Sequence, residues 1–394
     1  MSAFAIGSLF AWLAVVVVAA VVRGRFYATF AGVILGIQSL VAAALAPAFA
    51  WCAPVYVLLH ATVFLHFLSL VWARPRAWPF RAVVNVPGSF MAAGTFLALP
   101  WAIVAAAGLP PWGAWLPYVA AAFGVLQSLF AREEELDVVV GEHVEGGLQR
   151  HRSSRSRQER PLRIVQITDP HLGPLMSEAR LRKICERAVA RDPDLVLLTG
   201  DFLTMETHAQ PELLARALAP LRALEGRAFA CRGNHDLEAP ATVQRGLAEA
   251  GVRLLVDESV VVQTRAGDVQ ILGVDFRFRG RREHVEAVCA AHPREEGHLR
   301  IVLLHDPGAF RHLPEGHGDL VLSGHTHGGQ VGLVSLGVAF TLMRLFVRMP
   351  DHGLWARGTD RLYVHRGTGV YGFPLRIGVP SEESLLRVHR ARLG

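Results

Sequence analysis

Five short polar blocks along the chain have residue types and spacings that suit metal-ion chemistry. Each block directly follows an apolar run that is typical of a buried strand. The apolar runs are 164–167, 195–198, 228–230, 301–304 and 320–322, and the polar blocks are Asp169-Pro170-His171, Gly200-Asp201, Gly233-Asn234-His235-Asp236, His305 and Gly324-His325-Thr326-His327-Gly328-Gly329. Carboxylate, imidazole and amide groups delivered from the ends of several strands predict a site for two divalent metal ions.

Spacing within the blocks indicates how the ligands would be shared. Asp169 and His171 are two residues apart, so in an extended segment both would face one side and reach one ion. His325 and His327 would do the same around Thr326. Two oxygens would let Asp201 bridge both ions, and further donors would come from Asn234 and His305. A lone histidine or Asp-x-His pair is weak evidence, whereas the whole ordered set after strands is a strong signal.

Composition divides the chain into two parts. No Asp or Glu precedes Glu133, and seven of the eight tryptophans precede residue 116. This first third is typical of lipid-facing segments, and the remainder is long enough for a soluble domain with its own core. The net charge of +6 is modest and we expect no arrangement of arginines interleaved with aromatic residues, so nucleic-acid binding has little support. Reduced, mostly buried thiols are expected at Cys52, Cys185, Cys231 and Cys289, whose spacing fits neither a metal site nor a disulfide framework.

Residues 1–132 are predicted to form an all-α membrane domain of about five transmembrane helices. The expected spans are 3–22, 27–48, 52–72, 89–109 and 112–131, each close to the ~20 residues that cross a bilayer. Pro100 predicts a kink within the fourth span. His60 and His66 lie six residues apart and fall on different helix faces, so we expect interhelical hydrogen bonds there and no shared ligand.

The placement of arginines predicts the membrane orientation. Arginines follow the first, third and fifth expected spans, whereas the second and fourth loops carry no charge. The positive-inside rule then puts the amino terminus outside and the soluble domain in the cytoplasm, as a multi-pass protein of the cell inner membrane.

A linker is predicted over 133–161, followed by an α/β domain over 162–394. The linker includes a possible edge strand at 136–140 and an arginine–serine run at 150–160, which could contact anionic lipid or simply be solvated. Beyond it, strands alternate with helical patterns, including helices at 211–224, 241–250, 281–289 and one capped by Ser177. This alternation predicts an α/β sandwich of sheets flanked by helices.

From about residue 162 to its end, the chain resembles the calcineurin-like metallophosphoesterase superfamily, with all five of its blocks present. The blocks His325-Thr-His-Gly-Gly-Gln330 and Gly369-Val-Tyr-Gly-Phe-Pro-Leu-Arg376 resemble the bacterial membrane-associated branch. Some members of that branch hydrolyse lipid precursors such as UDP-diacylglucosamine. The resemblance implies the αββα metallophosphoesterase β-sandwich. It does not extend to the membrane third.

The resemblance also implies a role for each residue of the five blocks. One ion would be held by Asp169, His171 and His327, with Asp201 bridging, and the second by Asn234, His305 and His325. His235 would lie near the scissile phosphate as a general acid or charge stabiliser, with Asp236 orienting it. Two such cations lower the pKa of a shared water, so that metal-bound hydroxide attacks phosphorus. The ligand types do not separate manganese, iron, zinc and magnesium, although manganese is favoured.

A strongly apolar segment, 331–349, follows the last metal ligands. Arg344 and Arg348 are four apart and would share one face of a helix, with apolar residues covering much of the rest. One interpretation is an interfacial lid that lowers the site onto the bilayer and admits an acyl-chain substrate. The other is a core helix of the soluble domain.

Three functions are compatible with these patterns. The first is a membrane-anchored dinuclear-metal phosphoesterase that hydrolyses a lipid-linked phosphodiester or pyrophosphate. A second is a tethered phosphoesterase acting on a soluble nucleotide or phosphoprotein. The third is a membrane transport or scaffold protein with a metal-binding sensor domain, against which the expected spans contain no Asp, Glu, Lys or Arg to mark an ion pathway.

Overall fold

Alternating apolar strands and amphipathic helices build two facing sheets in a computed structural model of the chain, which describes residues 2–72, 74–152, 160–371 and 375–391. The chain divides into two units. A catalytic unit, as we name it for the blocks it contains, comprises Phe130–Thr204, His208–Val370 and Gly378–Gly394. A helical unit comprises Met1–Leu129, Met205–Thr207 and Tyr371–Ile377.

Thirteen strands make up the sheets in the described part of the catalytic unit. They are β1 Ala131–Val140, β2 Val144–Arg150, β3 Leu162–Ile167, β4 Leu195–Thr199, β5 Ala228–Cys231, β6 Arg253–Leu254, β7 Glu258–Thr264, β8 Gly267–Val274, β9 Leu299–Leu304, β10 Leu320–Ser323, β11 Gly353–Gly358, β12 Asp360–Val364 and β13 Ser381–Arg390. One sheet has the order β1-β13-β3-β4-β5-β6, and the other β2-β11-β12-β10-β9-β8-β7. The runs β3-β4-β5-β6 and β8-β9-β10-β12 are parallel, which brings their carboxyl ends to common edges.

The core lies in three layers. Between the sheets, apolar side chains of β3, β4 and β5 pack against those of β8, β9 and β10. The outer face of the first sheet is covered by helices Glu178–Ala190, Pro211–Leu218 and Pro240–Glu249, and that of the second by Arg281–Ala291. The predicted α/β sandwich flanked by helices is therefore confirmed, including the Ser177 cap, whose hydroxyl accepts a hydrogen bond from the backbone N–H of Arg180 at 3.2 Å.

The predicted linker contains more structure than expected. The possible edge strand at 136–140 is confirmed and extends over the whole of β1, which pairs in parallel with β13 at the edge of its sheet. A second edge strand, β2, pairs with β11 where only linker was expected. Residues 153–159 of the arginine–serine run lie outside the described residues.

The helical unit is built from apolar helices with almost no ionisable side chains. Its main helices are Ala3–Val22, Arg25–Leu45, Ala53–Ser69, Val86–Leu97, Leu99–Ala106 and Leu116–Ser128. The expected interhelical hydrogen bonds of His60 and His66 are confirmed. His60 bonds to Ser8 at 2.9 Å, and His66 bonds to Asn85 at 2.8 Å.

The prediction of five separate spans is wrong. Among the described residues, two stretches are long and apolar enough to cross a membrane, Ala3–Val22 and Arg25–Ser69. A third is added if the pair Trp78–Leu97 and Leu99–Ala106, bent by 58°, counts as one span. The bend lies at the predicted kink, directly before Pro100, and the last helix has only 13 residues.

The expected second and third spans are joined by a 3-10 turn, Ala46–Cys52, into one helical stretch. The Tyr27 hydroxyl donates to the Phe67 carbonyl at 2.7 Å, so the two ends of that stretch adjoin and it is folded back at the turn. These apolar helices near the amino terminus indicate a membrane protein.

Candidate metal centre

The ligands predicted from the sequence converge at the carboxyl ends of five strands. Each residue follows its strand by only a few positions, so the parallel pairing sets its place. Asp169 and His171 follow β3, Asp201 follows β4, Asn234 follows β5, His305 follows β9, and His325 and His327 follow β10.

One group consists of Asp169, His171 and His327, all buried, whose donor atoms lie within 4.8 Å of one another. The Nε2 atoms of His171 and His327 are 3.2 Å apart. His327 Nε2 is 3.5 Å from Asp169 Oδ1. This is a compact N₂O set of the kind that a divalent transition metal accepts.

A second group consists of Asp201, His305 and His325, again with donor atoms within 4.8 Å. His305 Nε2 lies 3.4 Å from Asp201 Oδ2 and 3.2 Å from His325 Nδ1. The Asn234 side-chain oxygen is 3.2 Å from the same His305 nitrogen. Asp201 Oδ2 also lies 3.8 Å from His171 Nε2 of the first group, so this carboxylate stands between the two groups.

The prediction that ligands two residues apart lie on extended segments is wrong, although the residues do converge. Among the described residues, five of the nine non-glycine residues with positive φ are predicted ligands: Asp169, His171, Asp201, His325 and His327. A left-handed backbone, not an extended one, aims these side chains, at a cost of about 1–2 kcal/mol each. His325 and His327 enter different groups, whereas Asp169 and His171, whose φ angles have the same sign, enter one group.

Glycines let the ligand loops approach one another. A Cβ on Gly200 would lie 2.3 Å from the backbone nitrogen of Gly233, and one on Gly324 would lie 2.2 Å from Asp169 Oδ2. Both contacts are far inside van der Waals distance, so only glycine fits at these two positions.

Burial and neighbouring charge push the ionisation of the site in opposite directions. Burial lowers the pKa of His171 to about 3, which leaves its ring neutral. Burial opposes ionisation of Asp201, but the charge and hydrogen bond of His305 outweigh it and hold the pKa of that carboxyl well below its usual range. Burial also opposes a charged His305, but Asp201 raises the pKa of that imidazole to about 10, so a bound cation would replace the proton on His305. Neutral imidazoles and ionised carboxylates are the forms that bind cations.

His305 is oriented in the way that metal-ligating histidines are. Its Nδ1–H donates to the Thr199 carbonyl at 2.6 Å, so Nε2 is the ring nitrogen that faces the second group. The buried donors, their spacing and this outer hydrogen bond fit two divalent ions of the manganese, iron, zinc or magnesium class, with no thiolate present.

The structure assigns His235 and Asp236 different neighbours from those implied by the resemblance. His235 lies beside the first group, with its ring centroid 5.5 Å from that of His171, and its Nδ1 contacts Glu238 at 3.1 Å. Asp236 does not orient that ring. Its buried carboxylate instead accepts backbone N–H bonds from Asp201, Phe202 and Gly233 at 2.8, 2.9 and 2.7 Å. Asp236 therefore fixes the loops that carry Asp201 and Asn234.

Two features of the site were missed from the sequence. Glu238, the partner of His235, follows it by three residues and could have been found as the next acid on a turn. The alternation Phe276-Arg277-Phe278-Arg279 after β8 could have been found as aromatic residues interleaved with arginines.

The predicted helix over 331–349 is wrong. That segment contains only two short 3-10 turns, Val334–Leu336 and Leu342–Leu345. It is not a core element either, because eight of its large apolar residues are exposed: Leu333, Leu336, Val338, Phe340, Leu342, Leu345, Phe346 and Val347. Thr341 is buried and donates to Asp351 Oδ2 at 2.6 Å, which ties the segment to the catalytic unit.

Comparison with known proteins agrees with this geometry. The family model for the calcineurin-like phosphoesterase matches residues 162–329. A metallophosphoesterase of Helicobacter pylori strain J99 is 32% identical over 237 residues, 58% of this chain and 60% of that protein. The chain thus spans less than two thirds of that relative's length.

Two further relatives are covered more fully. The metallophosphoesterase YkoQ of Bacillus subtilis is 30% identical over 230 residues, 55% of this chain and 80% of YkoQ. The UDP-2,3-diacylglucosamine pyrophosphatase LpxG of Chlamydia trachomatis is 28% identical over 282 residues, 57% of this chain and 83% of LpxG. With its five blocks gathered into one polar centre, the chain belongs to the calcineurin-like metallophosphoesterases.

Proposed function

We propose that this protein is a membrane-anchored hydrolase of phosphodiester or pyrophosphate bonds that works with two divalent cations. The observation that carries the proposal is the pair of ligand groups, joined by Asp201, at the ends of five strands. Asp169, His171 and His327 would hold one cation, and Asn234, His305 and His325 the other. Two such cations, when bound, supply Lewis acidity toward a phosphoryl group and lower the pKa of water.

His235 is the residue beside the ligand groups that would act on the substrate itself. Its ring is beside the first group but is only partly buried, with 23% of the side chain exposed, so a substrate oxygen can reach it. Glu238 and the Asp201 charge outweigh burial and raise the pKa of His235, which favours the protonated ring. A protonated ring here can donate to a leaving oxygen or stabilise negative charge on the phosphoryl group.

Metal content and turnover, measured together, test this assignment. The full chain in detergent should hydrolyse bis(p-nitrophenyl) phosphate only after loading with manganese. His235→Ala should keep its metal content but lose about a hundredfold or more in kcat, within the range for a general acid. His143→Ala is the matched control, because this exposed histidine follows β1, which runs antiparallel to β3 and so ends at the opposite edge of the sheet from the ligands. A metal-free chain that is fully active, or an unimpaired His235→Ala variant, would refute the proposal.

We further propose that the substrate is lipid-linked. Two observations support this: the apolar helices near the amino terminus, and the exposed apolar segment 331–347 directly after the metal ligands. Besides its eight residues, only Phe130, Val261 and Phe278 are exposed large apolar residues among the described part of the catalytic unit. The segment has no acidic residue and carries Arg344, with Arg348 directly after it, which suits an anionic lipid surface. The relative LpxG is named for an acylated, nucleotide-linked pyrophosphate.

Paired substrates separate this proposal from a tethered enzyme with a soluble substrate. Deleting the segment would remove buried Thr341, so the exposed pair Leu345→Ser with Phe346→Ser is the cleaner variant. It should leave hydrolysis of bis(p-nitrophenyl) phosphate within about twofold and reduce hydrolysis of a vesicle-borne lipid phosphodiester tenfold or more, since roughly 1.5–3 kcal/mol attaches to each buried apolar side chain. An equal loss of activity on both substrates would contradict the role of the segment as an interfacial lid.

We place the catalytic unit in the cytoplasm, at the inner membrane, on the arginine distribution alone. The five expected spans that defined the loops are not found, since two or three stretches of the described residues are long and apolar enough to cross a membrane. A cysteine-accessibility assay on Glu145→Cys, an exposed position, in a Cys52→Ser background and in intact and opened cells tests the orientation. Labelling in intact cells would reverse it.

A further inference from the structure

The chain directly after β8 borders the second ligand group. β8 and β9 are parallel neighbours with Val274 opposite Leu304, so the residues after Val274 run alongside His305. The Phe276 ring is buried, and its centroid is 6.1 Å from the ring centroids of both His305 and His325. We call Phe276–Arg279 the aromatic–arginine segment.

Ion pairs hold this segment between two of the ligand loops. On one side, Asp275 forms a bidentate pair with Arg232 at 2.8 and 2.6 Å, and Arg232 directly precedes the Gly233 block. On the other side, Arg281 pairs with Asp306 at 2.7 Å, directly after His305, and lies over the Phe276 ring at 5.6 Å. The segment is thus fixed relative to the metal centre, as a binding element must be.

The outer half of the segment carries an exposed aromatic ring and two arginines that form no ion pair within the described part of the chain. Phe278 packs edge-to-face on Phe276 at 4.9 Å but remains 67% exposed. Arg277 and Arg279 are exposed, and neither forms an ion pair with a carboxylate in the described part of the chain. By contrast, Arg282 pairs with Glu286 at 2.9 Å. Arg277 also lines a small cleft together with Phe276 and His305.

We infer that Arg277 and Arg279 bind a second phosphoryl group adjacent to the one held at the metal centre, and that Phe278 contacts a planar or apolar group attached to it. Guanidinium groups match phosphate oxygens in geometry and charge, and an exposed ring offers a face for stacking. The inference rests on the proposed function and selects the pyrophosphate over the simple diester.

The reaction this implies is the hydrolysis of an anhydride. The oxygen of water forms a bond to the scissile phosphorus and releases one of its protons to solvent, and the bond from that phosphorus to the bridging oxygen breaks. The bridging oxygen leaves with the second phosphoryl group and receives a proton from His235. Arg277 and Arg279 would hold that leaving group, whose negative charge rises as the bond breaks.

Non-hydrolysable competitors test this site directly. With the manganese-loaded full chain, Ki against bis(p-nitrophenyl) phosphate and calorimetric Kd would be measured for methylphosphonate, methylenediphosphonate and the adenosine ester of methylenediphosphonate. In Arg277→Ala/Arg279→Ala, Kd and Ki for methylenediphosphonate should rise about twentyfold, at roughly fivefold per exposed charge pair. Methylphosphonate should change less than twofold. Phe278→Ala should weaken the adenosine ester about fivefold and methylenediphosphonate little.

Arg282→Ala, which removes a paired arginine from the same stretch, is the matched control and should change none of these constants. The inference is overturned if the double variant weakens methylphosphonate and methylenediphosphonate equally, or neither. Tighter competition by a short single-stranded oligonucleotide than by the adenosine ester would also overturn it, in favour of nucleic-acid binding. Failure of the proposed function would show differently, as a wild-type chain without metal-dependent turnover, while calorimetry would still report on the aromatic–arginine segment.

Discussion

The ligand loops and the apolar segment 331–347 are neighbours in sequence but differ in every physical respect. The ligand loops are buried, polar and held by hydrogen bonds to backbone groups, with strained φ angles at five ligands. The apolar segment is exposed, has short turns only, and is tied down at few points. The first region fixes positions to fractions of an ångström, which metal chemistry requires. The second presents apolar surface that water does not favour.

One residue joins the two regions. The Asp351 backbone carbonyl accepts a hydrogen bond from Thr326, which lies between the two histidines of the last ligand block. Its carboxylate accepts another from Thr341 of the apolar segment and pairs with Arg150. The contrast between the regions therefore predicts that damage to the ligand loops abolishes all activity, whereas damage to the apolar segment affects only lipid substrates.

The largest effect is expected at the residue between the two ligand groups. Asp201→Asn keeps the shape of the side chain but removes the charge that faces both groups, so cation binding should fail. We expect kcat/KM to fall about a thousandfold or more on soluble and lipid substrates alike, because the metal-supplied stabilisation is lost. Metal content by elemental analysis should fall below two per chain. Retention of both ions with full activity would contradict the bridging role.

A nearly comparable loss of activity is expected when Asp236 is replaced, because this residue holds the ligand loops in place. Asp236→Ala leaves three buried backbone N–H groups without an acceptor, each costing about 1–3 kcal/mol. The free energy of unfolding of the catalytic unit should fall by several kcal/mol, as measured by denaturant titration, and both substrates should be affected. Asp236→Asn keeps one acceptor oxygen, so its free energy of unfolding should lie between those of the wild type and Asp236→Ala. An unchanged stability would show that the loops do not depend on this carboxylate.

The ligand positions could be predicted because each requires only a buried strand followed by a polar residue. Asp201 and His305 are of this kind, and parallel pairing then brings the strand ends together. The sign of φ at His325 and His327 could not be predicted, because neighbouring loops impose it. Their assignment to different groups came from the family resemblance, whereas alternation along an extended chain suggested one shared ion.

The apolar parts were harder to predict for the opposite reason. Hydropathy identifies lipid-compatible residues but does not locate breaks, so the turn Ala46–Cys52 and the bend before Pro100 changed the number of spans. In 331–349 the four-residue spacing of Arg344 and Arg348 indicated a helix. Gly337, with φ of +77°, and the pairing of Gly332 with Thr341 instead fold the segment back on itself.

An intermediate effect is expected when the tie between the two regions is cut. Thr341→Val is nearly isosteric and removes the hydrogen bond to Asp351, while Arg150 still pairs with that carboxylate. The free energy of unfolding should fall by only about 0.5–1.5 kcal/mol. Hydrolysis of a vesicle-borne lipid phosphodiester should fall several-fold, with bis(p-nitrophenyl) phosphate spared. A parallel loss on both substrates would mean that Thr341 supports the ligand loop itself, and the two regions would then be one functional element.

The smallest effect should come from the charges on the apolar segment. Arg348→Gln removes an exposed arginine without a carboxylate partner in the described part of the chain. The attraction of one arginine to an anionic membrane surface contributes about 1 kcal/mol to binding. KM for a lipid phosphodiester should rise about fivefold in vesicles rich in anionic lipid and stay unchanged in zwitterionic ones. The difference should vanish at high salt, since screening acts on exposed charges. Arg253→Gln, on the short edge strand β6, is the control. If both variants behave alike, the segment does not meet the headgroups, and its exposed apolar side chains contact some other surface.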